Sequence, residues 1–153
     1  MEDVTPGLFD ELVEFVVENY DHKIVEVGIG HRGSVAEMMK SRMPNVEVLV
    51  TDNRDSIISS YVGGDIQAIV DDVFSPSLQA YREASLIYSL NPPMEMIPPL
   101  EQLARSVGAD LLVKPISDEQ DIFYHTKWEQ LVKQGHTIGW LLRIYSAVRD
   151  SQS

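Results

Sequence analysis

The chain has 153 residues, no cysteine and a net charge of −12, from 24 acids against 12 bases. That length fits one domain, residues 1–153, with a core large enough to need no staples, and the missing cysteines exclude disulfides and thiolate metal sites. The acid excess repels phosphate backbones, so unaided nucleic-acid binding is disfavoured; the plainest meaning of the charge is solubility, and the other is a cationic ligand or partner.

Residues 1–10 carry Glu2, Asp3 and Asp10 where a signal peptide would need bases. No run approaches the roughly 18 apolar residues of a membrane span. A soluble, cytoplasmic protein is expected. Thr5-Pro6 looks like a helix start, and Leu8, Leu12, Phe15 and Val16 follow at helical spacing to about Tyr20. Lys23 to Val27 is a β-rich run stopped by Gly28. Ser34 to Met43 reads as a helix with Val35, Met38 and Met39 inward, ended by Pro44-Asn45. Val46 to Thr51 is an apolar strand of the kind buried in a parallel sheet, and Asp52 follows it. Asn53 to Gly64 is short and serine-rich and offers little cover over a ligand.

A third apolar run begins at Ile66 and stops at Asp71-Asp72. Ser75-Pro76 opens a short helix through Glu83, and Ser85 to Leu90 is a fourth strand closed by Asn91-Pro92-Pro93. Pro99 to Val107 is a helix with Leu100, Leu103, Ala104 and Val107 inward and Gly108 as its C-terminal cap. Asp110 to Val113 is a fifth strand. In the tail, Trp128–Lys133 and Thr137–Tyr145 flank Gly135-His136 and read as an antiparallel hairpin closing a sheet edge; a helix through Trp128, Leu131 and Val132 is the alternative. The alternation predicts an α/β, Rossmann-like three-layer sandwich. Its sheet is mostly parallel, with five strands plus a C-terminal antiparallel strand or hairpin.

The sharpest motif is Glu26-Val27-Gly28-Ile29-Gly30-His31-Arg32-Gly33, at a strand-to-helix junction. Glycines there permit a tight turn and close approach of backbone to a ligand, and Asp52, ending the next strand, stands where a ribose hydroxyl would be held. The plain alternative is a turn with Asp52 as a cap. Dinucleotides and S-adenosylmethionine share this geometry, and Glu26 separates them. A carboxylate two residues before the first glycine opposes a pyrophosphate but favours a ligand that carries an ammonium and a sulfonium. Asp71 and Asp72 end the third strand, where an adenine edge would lie.

This series of motifs over residues 4–115 resembles class I S-adenosylmethionine-dependent methyltransferases. The whole chain is also similar to a small uncharacterised archaeal family described as Rossmann-like, with no assigned activity. That similarity is strongest in Ile87-Tyr88-Ser89-Leu90-Asn91-Pro92-Pro93 and Gly108–Pro115. The methyltransferase resemblance implies that Glu26 orients the methionine end of S-adenosylmethionine. Gly28 and Gly30 would let the backbone pass beneath it, with Gly33 also at the cofactor, Asp52 would hold the ribose hydroxyls, and Asp72, in preference to Asp71, the adenine amine. It also implies a catalytic role for Asn91, Pro92 and Pro93, matching most of a motif in which amino-group methyltransferases hold the substrate nitrogen. The motif's usual aromatic ending is replaced by Met94, which argues against a nucleobase substrate. A rigid turn is the plain alternative for the same residues.

His31 and Arg32 could touch a ligand or be solvated, and Asp118–Asp121 reads as a solvated loop. His125 and His136 have no partner at metal-ligand spacing, so no metal site is expected. Trp128 and Trp140 read as packing residues. Three functions follow. The first is an S-adenosylmethionine-binding domain, or a methyltransferase of an amino group on a small molecule or protein. The second is a non-enzymatic Rossmann-like binding or regulatory module. The third is an NAD(P)-binding protein, against which Glu26 and the lack of a substrate domain count. The Pro92-Pro93 and Pro98-Pro99 bonds leave cis or trans open.

Overall fold

A computed structural model describes residues 7, 9–28, 34–61, 64–115 and 127–145. The proposed helix start at Thr5-Pro6 therefore lies outside the described residues, as do Gly30, Gly33, His31, Arg32, Asp118–Asp121 and His125. Seven strands form one sheet in the order β3-β2-β1-β4-β5-β7-β6. The first five, β1 (Ile24–Val27), β2 (Val48–Asp52), β3 (Gln67–Val70), β4 (Leu86–Leu90) and β5 (Asp110–Lys114), run parallel. The tail is the expected hairpin, β6 (Glu129–Lys133) and β7 (His136–Leu142), with β7 antiparallel to β5. Residues 128–132 form no helix. Their alternation leaves Leu131 buried between exposed neighbours, the period of a half-covered strand.

Period-two alternation also sorts the central strands into two faces. Ile24, Val48, Val50, Leu86 and Tyr88 pack under α1 (Asp10–Asn19) and α2 (Ser34–Arg42). Val25, Leu49, Ile87, Leu111 and Val113 pack under α5 (Ile97–Val107), and Tyr81 of α4 (Leu78–Tyr81) joins them. The result is three layers. Trp128 and Trp140 are both buried in the second cluster. Gly108 takes φ 76° and caps α5 as expected. The described residues contain no cis peptide bond.

Several boundaries differ from expectation for local reasons. The second strand starts at Val48 because the Val46 N–H turns back to the Met43 carbonyl and Lys40 Nζ holds the Val46 carbonyl. Its last residue is Asp52, paired with Val70. The serine-rich segment is not featureless: Asp55–Ile58 forms α3, which buries Ile57, and a 3₁₀ turn follows at Ser59–Tyr61. The helix expected from Ser75 shrinks to the single turn α4. Asp72 Oδ1 captures the Phe74 N–H and Asp71 captures that of Ser77, which holds the preceding residues in a turn. β3 is an edge strand with Ile69 and Val70 exposed, although its apolar run looks like the others.

At the N-terminal end of β5, Asp110 is fully buried. It accepts hydrogen bonds from the Tyr20 hydroxyl and from the Ile144 and Tyr145 N–H groups, each at 2.6 Å. This carboxylate joins α1 to the chain that leaves β7.

Candidate functional site

The strand order reverses between β1 and β4, and in open α/β sheets the crevice at the C-terminal strand ends beside such a reversal is where ligands bind. A cleft of about 290 Å³ lies there. Four successive strand ends contribute to it. β1 supplies Val27 and Gly28, β2 supplies Asp52 with Asn53 and Arg54, β3 supplies Asp71 and Asp72, and β4 supplies Asn91, Pro92 and Pro93. The ladder continues past the strands through Gly28 N–H to the Thr51 carbonyl and Asn91 N–H to the Lys114 carbonyl, so these turns are held by the sheet itself.

Gly28 has φ 75°, a left-handed conformation that disfavours any side chain. A Cβ built there would meet only the Met96 methyl at 3.6 Å, so the backbone conformation, rather than space, calls for glycine. Ser89 donates to the Val27 carbonyl at 2.9 Å and pins β1 to β4 beside that turn. Asn91 also has a positive φ, 55°, which asparagine tolerates better than most residues. Its strain sits at the cleft wall, between Leu90 and the two prolines.

Asp52 is only 4 % exposed, although it lines the cleft. Arg54 holds it three ways: backbone N–H to Oδ1 at 3.0 Å, Nε to Oδ1 at 2.9 Å and Nη2 to Oδ2 at 3.2 Å. The carboxylate raises the Arg54 pKa through that pairing. Asp71 is turned inward, accepting from the Tyr81 hydroxyl at 2.6 Å and from the Ser77 N–H, while Asp72 is exposed. Burial, then the Asp71 hydrogen bond, pushes the Tyr81 phenol up.

Glu26 is not among the described residues that line the cleft. It is 1 % exposed on the α1–α2 face of β1. Two phenols report its charge. Tyr88 is pushed well up by burial and then by Glu26, and Tyr61 is pushed up to about 12 by burial, then by Glu26 and Glu37. The structure thus brings Gly28, Asp52, Asp72, Asn91, Pro92 and Pro93 around one cleft, with Glu26 behind its floor.

Sequence reasoning missed Arg54, Phe74, Ser89 and Met96, all of which line the cleft. Phe74 is 59 % exposed there. An arginine two residues past a strand-ending acid was a usable signal, because a following N–H and a fork of donors suit that carboxylate. Nothing in the sequence separates Phe74 from an ordinary apolar turn residue.

Several solved structures with this fold are described as methyltransferases. A putative caffeoyl-CoA O-methyltransferase from Staphylococcus aureus superposes with a TM-score of 0.62 at 8 % identity, covering 91 % of this chain and 83 % of that one. The structure of a fibrillarin/Nop5p complex gives 0.61 at 10 % identity over 89 % of this chain and 82 % of that chain. The plantazolicin methyltransferase BpumL, solved with SAH, gives 0.52 at 17 % identity over 69 % of this chain and 43 % of its own. At these identities the likeness establishes a methyltransferase-like Rossmann fold.

Sequence relatives are archaeal. A UPF0146 protein of Archaeoglobus fulgidus is 41 % identical over 106 residues, 69 % of this chain and 77 % of the relative. One from Methanothermobacter thermautotrophicus is 36 % identical over 115 residues, 75 % of this chain and 78 % of the relative. The model of the uncharacterised protein family UPF0146 matches residues 8–138. By that match and those relatives, this chain belongs to the UPF0146 family.

Proposed function

We propose that the cleft binds S-adenosylmethionine, and that the protein transfers its methyl group to an amino nitrogen of a small molecule or protein. The observation that carries this reading is the buried Asp52 carboxylate, which lines the cleft beside the left-handed Gly28 turn, with Asp71 and Asp72 at the next strand end. Buried acids close to a ligand favour cationic groups and oppose a pyrophosphate. The residues present therefore fit a sulfonium nucleoside better than a dinucleotide.

In this reading Asp52 holds the ribose hydroxyls, and Gly28, Gly30 and Gly33 let the backbone pass beneath the ligand. Glu26 acts on the methionine end directly or through water. Asp72 takes the adenine amine. Its exposure in the cleft, against the engagement of Asp71 by Tyr81 and Ser77, supports that preference. Phe74, exposed on the same wall, offers an aromatic face for the base. When bound, the cofactor supplies an electrophilic methyl on sulfur. Asn91 presents acceptors to the substrate nitrogen, and Pro92 and Pro93 fix the backbone around it, which supplies orientation.

Calorimetric titration of the protein with S-adenosylmethionine, repeated with Asp52→Ala, tests the cofactor claim. Saturable binding is expected, weakened in the variant by about 1–3 kcal/mol, the scale of hydrogen bonds to a charged group. Absence of both heat and thermal shift at millimolar ligand would refute it. The same protein would then be a Rossmann-like binding or regulatory module whose ligand is something else. If binding holds, Asn91→Ala separates enzyme from binder: lost methyl transfer to an amine with retained cofactor affinity is expected.

A further inference from the structure

We infer that the Arg54 guanidinium is a built-in competitor for the ribose site: it occupies the two oxygens of Asp52 that a ligand's cis-diol would use, and ligand and guanidinium exchange there. This rests on the nucleoside reading of the cleft. Three features of the pair carry it.

The first is shape. Nε and Nη2 form a planar fork on Oδ1 and Oδ2, at 2.9 and 3.2 Å. Vicinal ribose hydroxyls are also two adjacent donors, suited to the same carboxylate edge. The second is exposure. The Asp52 side chain is 3 % exposed and that of Arg54 is 53 % exposed. The anion is fixed inside, whereas the cation already stands half in water and can leave at little cost in solvation.

The third feature is the backbone. The Arg54 N–H bonds Oδ1 independently of its side chain, in a local turn that also hands the chain to α3. When the guanidinium leaves, that bond still aims the carboxylate. Exchange therefore changes one partner of Asp52 without reorganising the strand end. Among the described residues lining the cleft, Arg54 is the sole base, so no other cation of the described lining stands ready to take its place on the carboxylate.

A competitor of this kind lowers the apparent affinity of any ligand that needs Asp52, by the fraction of molecules in which the guanidinium is away. It leaves a ligand without hydroxyls unaffected. The test titrates the full chain with adenosine and with 2′,3′-dideoxyadenosine, both uncharged, so that the protein's net charge does not enter. Wild type, Arg54→Ala and Arg54→Lys are compared, with thermal melts confirming that each is folded. Arg54→Ala is expected to bind adenosine roughly three- to fivefold more tightly than wild type, the range of a half-exposed ion pair, with dideoxyadenosine unchanged. Arg54→Lys, which keeps the charge but not the fork, falls between and carries the comparison if the alanine variant does not fold. Equal or weaker adenosine binding by the variants overturns the exchange and leaves the nucleoside reading standing. An equal gain for both ligands also overturns it, because the side chain would then merely fill the cleft. If adenosine binds to none of the three, the nucleoside reading fails and the exchange fails with it.

Discussion

Replacing Asp110 by alanine removes the acceptor of three hydrogen bonds at once: those from the Tyr20 hydroxyl, the Ile144 N–H and the Tyr145 N–H. The first two donors are buried and would be stranded, at about 1–3 kcal/mol each, while the half-buried Tyr145 N–H can turn to water. The expected loss is about 4 kcal/mol, a large share of the roughly 5–15 kcal/mol that holds a domain together. Melting should fall by roughly 10 °C. Asparagine is the informative control. Its carbonyl oxygen still accepts both backbone N–H groups, and the Tyr20 hydroxyl can turn to accept from its amide, so only the charge-assisted part is lost, about 1–2 kcal/mol. Urea unfolding of both variants measures the difference. If alanine costs no more than asparagine, the carboxylate is not the clamp between α1 and the end of β7, and the reasoning fails.

Two further outcomes follow from backbone and burial. The β6–β7 hairpin turns through Gln134 and Gly135, both at positive φ, 52° and 84°. Two-residue turns of this kind favour Asn-Gly, so Gln134→Asn should stabilise by about 0.5–1 kcal/mol in urea unfolding; a neutral or negative change would count against that turn geometry. The phenols of Tyr20, Tyr61, Tyr81 and Tyr88 are all held above their ordinary range, chiefly by burial. In the unfolded chain they ionise near pH 10, before they can do so when folded. The unfolded state therefore releases protons first, and this contribution to stability, complete below about pH 10, declines above it. Phenolate absorbance for these four should rise only together with loss of far-UV ellipticity. Titration of any of these four near pH 10 in a chain that still shows its folded spectrum, assigned by its Tyr→Phe variant, would contradict the burial argument.

Much of the sheet was legible because its interior strands must be apolar on both faces. Val48–Val50, Leu86–Tyr88 and Leu111–Val113 are continuous apolar runs, and five expected strands alternating with helical patterns leave few other architectures. The hairpin was legible through Gly135 and the period-two burial around Leu131. The β3 edge was not, because Ile69 and Val70 have the composition of a buried strand and only the sheet order exposes them. α3 was obscured by serines that favour loops, and it is held by one buried side chain, Ile57. At the site, spacing located Asp52, Asp72 and Asn91 on a common rim, since parallel strands deliver their ends to one side. Spacing could not reveal that Glu26 is almost wholly buried, because burial depends on which helices cover each strand.

The two buried aspartates at opposite ends of the sheet show how the same group becomes structural or exchangeable. Both are almost wholly excluded from water and each accepts three hydrogen bonds from described residues. Two of the donors to Asp110, the Tyr20 hydroxyl and the Ile144 N–H, are buried, so neither can leave without opening the fold. The donors to Asp52 include one backbone N–H that fixes its direction and two from a side chain that is 53 % exposed. The first arrangement resists substitution by a ligand, while the second admits it at the cost of an ion pair whose cation is half exposed. The division also follows the sheet: Asp110 stands at the N-terminal end of β5, whereas Asp52 ends β2 at its C-terminal side and lines the crevice. On the nucleoside reading, stability and recognition are thereby assigned to opposite ends of the sheet, and a change at one end need not be felt at the other.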